Sequence, residues 1–162
     1  MKGQTGIKMG VRQDKAEALF KEGYNCSQAV FGAFADIYGM DEKQALRIAC
    51  SFGAGMGRMR EVCGAASGMF MVAGLENGTT EGKDAEGKKA NYDAVQYLAQ
   101  QFKEKCGGSI VCRELLGLEQ KESYKDTTPE ERNNTYYTKR PCGEIVREAA
   151  GIVEAWLERK RA

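Results

Sequence analysis

Apolar residues recur along the chain at intervals of three and four, broken by glycine and by short polar stretches, which is the spacing of amphipathic helices. The first such segment, Asp14 to Glu22, places Ala18 and Leu19 on one face and stops at Gly23. Asn25 can cap a second helix carrying Ala29, Val30, Ala33, Phe34 and Ile37 and ended by Gly39, and Asp41 a third through Ala45, Leu46, Ile48 and Ala49. A glycine-rich stretch, Ser51 to Arg58, leads into Cys63-Gly64-Ala65-Ala66-Ser67-Gly68 and an apolar run from Met69 to Leu75, which reads as a central buried helix. After an exposed connection from Asn77 to Gly87, a long helix is expected from about Glu86 to Lys105, with Tyr92, Val95, Leu98, Ala99 and Phe102 on its face. Ser109 can cap a short helix through Cys112, Leu115 and Leu116, closed by Gly117. The polar stretch with Thr127, Thr128 and Pro129 is read as one more helical turn, with Glu130 and Glu131 as a solvated helix start and Tyr136 and Tyr137 packed over the core. Pro141 opens a last helix to about Lys160, with Ile145, Val146, Ala149, Ile152, Val153, Trp156 and Leu157 on its buried face. The only strand material is a very short piece around Ser109 to Val111. The fold class expected is all-α, a compact bundle of six or seven helices forming a single domain over residues 11–162, behind a flexible segment at residues 1–10.

Charge and composition narrow what such a bundle does. Among 162 residues, 24 basic and 23 acidic side chains leave a net charge of +1, so no overall field draws in nucleic acid or an anionic membrane. No apolar run is long enough to span a bilayer, and the first ten residues lack a signal-peptide stretch, which places the chain in the cytoplasm. There is no histidine, which removes Ser-His-Asp and Cys-His catalysis and every His-ligated metal. Six cysteines are left, in a compartment that keeps thiols reduced.

The helix starts divide those six. Cys26 follows the capping Asn25, Cys63 opens the Gly-Ala-Ala-Ser-Gly helix, Cys112 lies three after Ser109, and Cys142 follows Pro141. A helix start presents unpaired N–H groups and the positive end of the dipole, which favour a thiolate, the reactive and metal-binding form. Cys50 and Cys106 fall at helix ends; core packing is the reading for Cys50, and a place near the surface for Cys106. Gly64 and Gly68, four apart, give a bare surface where a helix or a ligand could approach the backbone, and Arg58 is a candidate anion contact.

The order Asn25-Cys26-Ser27-Gln28-Ala29-Val30, then Phe52-Gly53-Ala54-Gly55-Met56-Gly57-Arg58 with Cys63-Gly64-Ala65-Ala66-Ser67-Gly68, then Cys112-Arg113-Glu114-Leu115-Leu116-Gly117, then Cys142, resembles the redox-active family labelled C_GCAxxG_C_C for its spaced cysteines. The label writes Gly-Cys-Ala where this chain reads Cys-Gly-Ala, the motif itself being Cys-Gly-Ala-x-x-Gly. The likeness runs from about Ala16 to Leu157 and picks the same four cysteines as the helix starts. It implies a redox role in bacteria or archaea and a functional link to a transporter; an unidentified redox partner protein is a separate expectation, from thiol redox chemistry.

Three readings follow. In the first, the four cysteines exchange thiols and disulfides or relay electrons, with Cys63 as the attacking residue because Gly64 leaves its surroundings open and Arg58 and Arg60 add positive charge. No Cys-x-x-Cys and no strand alternation support a thioredoxin-like fold. In the second, Cys26, Cys63, Cys112 and Cys142 ligate an iron–sulfur cluster or zinc, although their separations of 37, 49 and 30 residues are wide for either. In the third, the Gly53 to Gly68 segment accepts an anionic or flat ligand in a non-catalytic binding module, with Gly64, Gly68 and Arg58 as contacts. A homo-oligomer is a further expectation, since small helical proteins commonly pair.

Overall fold

The computed structural model describes residues 8–118 and 126–162, so most of the flexible segment expected at residues 1–10 lies outside the described residues. Those described form helices α1 (Val11–Lys21), α2 (Cys26–Gly32), α3 (Glu42–Cys50), α4 (a single turn, Gly53–Met56), α5 (Gly64–Asn77), α6 (Ala85–Lys105), α7 (Cys112–Leu116), α8 (Asn134–Lys139) and α9 (Cys142–Arg161), with a 3₁₀ turn at Ala35–Tyr38. Among the described residues there is no strand, only one antiparallel bridge between Val62 and Val111, so the all-α class holds. No helix among them is long and apolar enough to cross a membrane.

Local chemistry sets most helix starts. Asn25 and Gln28 form a reciprocal capping box on α2, each side chain accepting from the other residue's backbone N–H at 3.0 and 2.9 Å. Asp41 caps α3, and Asp84 accepts from the Gly87 N–H at 2.8 Å to start α6. Asn133 accepts from the Tyr136 N–H at 2.9 Å and starts α8. Helical spacing does not announce that helix, and the turn expected at Thr127–Pro129 does not form.

Other boundaries are tertiary. α1 begins at Val11 rather than Asp14 because Glu154, from the middle of α9, accepts from the Gly10 and Gln13 N–H groups at 2.6 and 2.7 Å. A fully buried carboxylate thus caps a helix about 140 residues away in sequence, where local spacing gives no sign of it. The helix expected to run from Asn25 to Ile37 is two pieces: past Gly32 the bonding tightens to the three-residue pattern, as in Phe34 N–H to Phe31 O, and Gly39 stops it at φ +66°.

α5 is central, packed against α2, α6 and α9. Its buried part is the start, from Gly64 to Met69 with Val72 and Ala73, while Leu75 at the far end is exposed. Phe20, Phe34, Met69, Leu98, Phe102, Val146, Val153 and Leu157 fill the core. On α6 the inward face is Ala94, Leu98 and Phe102; Tyr92, expected there, points to solvent.

Candidate functional site

The local folding puts four cysteines at four helix starts. Cys26, Cys112 and Cys142 are the first residues of α2, α7 and α9, and Cys63 is the cap residue of α5. All four line one cavity of about 300 Å³. The Val62–Val111 bridge pins two of them together, with the Cys63 N–H donating to Ile110 O at 2.7 Å and the Cys112 N–H to Glu61 O at 2.6 Å. Ser109 does not cap α7 as expected; its hydroxyl accepts from the Val111 N–H and donates to the Glu114 carboxylate.

The glycine-rich stretch forms one wall. Ala54, Gly55, Met56, Gly57 and Arg58 all have positive φ, between 55° and 73°. Met56 and Gly57 donate to the carbonyls of Phe52 and Gly53, so these residues trace a single left-handed helical turn. L-residues resist that conformation by roughly 1–2 kcal/mol each, and glycine at alternate positions removes part of the cost. Gly55 is also sterically required, since a Cβ there would lie 2.6 Å from Arg60 Cα and from Cys112 Cβ. The turn carries Arg60 to the cavity wall, more than nine-tenths buried, with Nη1 3.7 Å from the Cys112 sulfur. The sequence places Arg60 beside Cys63; in the fold it serves Cys112.

Burial dominates the thiols. It pushes Cys63 well up, helped by the charge of Cys26, against the backbone N–H groups of Ala66 and Ala65. It raises Cys112 in spite of the Arg60 hydrogen bond, and Cys142 to about 11 in spite of a hydrogen bond from Tyr136. The helix-start N–H groups therefore act at Cys63 as expected, but desolvation outweighs them, and the lowered pKa values anticipated from helix position are not found at these three cysteines. Cys26 is the common neighbour, since its charge acts on Cys63, Cys112 and Cys142 alike.

Cys50 is exposed at the end of α3 and lines the same cavity, rather than packing in the core; Cys106 is buried in the core, rather than near the surface. Burial raises the Cys106 thiol to about 11. The bare surface of Gly64 and Gly68 is covered by α2, not open to a ligand: a Cβ on Gly64 would lie 2.6 Å from the Cys26 sulfur, and one on Gly68 2.8 Å from Val30 Cβ. Arg58 does line the cavity, and donates to Asp126 O at 2.7 Å. Among the described residues no three Cys, Asp or Glu side chains are grouped to hold a metal ion.

Several lining residues have no signal in the sequence. Arg132 donates to the carbonyls of Phe20 and Tyr24 at 2.9 and 3.1 Å and stacks 4.0 Å over the Phe20 ring. Arg140 pairs with Glu130 at 3.2 Å, so Glu130 is an ion-pair partner and not a helix start. Tyr136 is buried beside Cys142, its own hydroxyl pKa raised by burial, whereas Tyr137 is exposed. Spacing along the chain cannot reveal these, because the loop before α8 folds back over α1.

A family model described as "Putative redox-active protein (C_GCAxxG_C_C)" matches residues 24–156. No curated protein and no solved structure matches the chain.

Proposed function

The chain belongs to the C_GCAxxG_C_C family of redox-active proteins, and from that premise we propose that it works by thiol–disulfide exchange through Cys26, Cys63, Cys112 and Cys142. The observation that carries this reading is the convergence of these four free thiols, from the starts of four different helices, on one cavity that exposed Cys50 also lines. Cys26 attacks, in place of the Cys63 expected from sequence. It is half-buried where Cys63 and Cys112 are buried, and it lies electrostatically next to all three other thiols.

In the exchange, the Cys26 thiolate attacks one sulfur of a substrate disulfide, the substrate S–S bond breaks, and the departing sulfur takes up a proton. A second cavity cysteine then attacks the mixed disulfide at Cys26, closing a protein disulfide and releasing the second substrate thiol. Two protein thiols are oxidised, and one disulfide is reduced to two thiols. A reduced partner protein or external thiol returns the protein to the dithiol. Because charge on Cys26 or Cys112 raises the pKa of Cys63 and Cys142, the cavity resists holding several charges at once, and pairing two sulfurs removes that repulsion.

The test is a thiol count. Of the six cysteines, mild oxidation of the reduced protein is expected to leave four or two titratable thiols, and Cys26→Ser to block the first loss. A count that stays at six under oxidant overturns the proposal.

A further inference from the structure

The cavity is strongly unbalanced in charge. Four guanidinium groups line it, from Arg58, Arg60, Arg132 and Arg140, against one carboxylate, Glu130. Glu130 is already used by Arg140, and Arg58 leans on Asp126. Among the described residues no carboxylate forms an ion pair with Arg60 or Arg132. Arg60 is the telling case, because it is almost fully buried and its side chain has a single weak acceptor, the Cys112 sulfur. A buried guanidinium without an anion is costly, and its planar fork matches a carboxylate. Arg132 holds two backbone carbonyls through Nη1 and Nη2 and stacks on Phe20, half-buried and with no carboxylate paired to it. The rest of the wall is apolar, with Phe20, Leu115, Leu116 and Ile145, and the volume is at the small-molecule scale.

Resting on the exchange reading above, we infer that the cavity binds a small aliphatic disulfide bearing carboxylates, its carboxylate groups on Arg60 and Arg132 and its S–S bond against Cys26. The step is the exchange already written: the bound disulfide gains two electrons and two protons and leaves as two carboxylated thiols, while the protein gains one disulfide. The arginines select the substrate by charge, and the apolar wall holds its methylenes.

Three disulfides of similar length and different charge test this on the reduced full chain at neutral pH and low salt: dithiodipropionate with two carboxylates, neutral 2-hydroxyethyl disulfide, and cystamine with two ammonium groups. Loss of the Cys26 thiol is followed by peptide mass spectrometry, separately from that of exposed Cys50, with each rate divided by that of the same disulfide with a free small thiol. The dicarboxylate is expected to lead the neutral compound by about tenfold or more, with cystamine slowest. Arg132→Gln and Arg60→Met should each pull the dicarboxylate-to-neutral ratio towards one. Octanedioate, which replaces the two sulfurs by methylenes, should slow the reaction of the neutral disulfide by occupying the site. Equal normalised rates for all three, or no protection by octanedioate, overturn the substrate class and leave exchange standing. Failure of all three to consume thiols overturns both. The comparison of charges on the unaltered protein stands even if an arginine variant does not fold.

Discussion

Helix position and burial pull a cysteine in opposite directions, and at Cys142 burial wins. Its folded pKa of about 11 lies above the 9.0 of an ordinary thiol, so the folded state holds a proton that the unfolded chain releases. Stability from this group is complete below pH 9 and is lost as pH rises through 11; Cys106 adds to the same loss. Reactivity follows the same numbers. At pH 8, iodoacetamide followed by peptide mass spectrometry should find exposed Cys50 labelled first, and Cys142 roughly hundredfold slower than a free thiol, with its rate climbing between pH 9 and 11. Rapid labelling of Cys142 at pH 8 would refute this balance. Caps in the sequence identify which cysteines open helices, since capping is a matter of neighbouring residues. They do not identify which thiols are dry, and so Cys50 and Cys106 are each expected in the other's surroundings.

The α2–α5 contact shows what two glycines do at the level of elements. Gly68 presses against Val30 and the Ser27 carbonyl, while Gly74, on the same helix, has nothing within 4 Å of the point where a Cβ would stand. Gly68→Ala should therefore cost about 1–3 kcal/mol by overpacking, despite the better helix propensity of alanine. Gly74→Ala should gain about 0.5–1 kcal/mol from propensity alone. Thermal unfolding of the two variants checks the contrast, and equal shifts would show that the helices do not touch as described. The sequence makes Gly64 and Gly68 conspicuous but leaves open whether a helix or a ligand takes that surface, because either would need the same absent side chains. α8 escapes notice for a related reason: its six residues carry too little apolar periodicity, and only the cap at Asn133 marks it.

At the scale of the whole molecule, Glu154 ties the last helix to the first. Glu154→Ala would leave the half-buried Gly10 and Gln13 N–H groups without their acceptor, for a loss of about 1–3 kcal/mol in denaturant unfolding. A loss below about 0.5 kcal/mol would mean that water replaces the carboxylate. The bundle class is legible because helical spacing survives any arrangement of the helices, whereas the cavity joins residues around 25 and 60 to residues around 112 and 140, an assembly no local pattern encodes. The left-handed turn at residues 54–58 has a consequence of its own, in chirality. A backbone that L-residues resist is the one their mirror images prefer, so a D-alanine at position 54 should stabilise the protein by about 1–2 kcal/mol where almost any other D-substitution in a helix would break it. Cys50 and Cys63 bracket the turn, and each supplies the N-terminal cysteine that peptide ligation requires, so a synthetic segment of residues 50–62 carries the inverted centre into an otherwise ordinary chain.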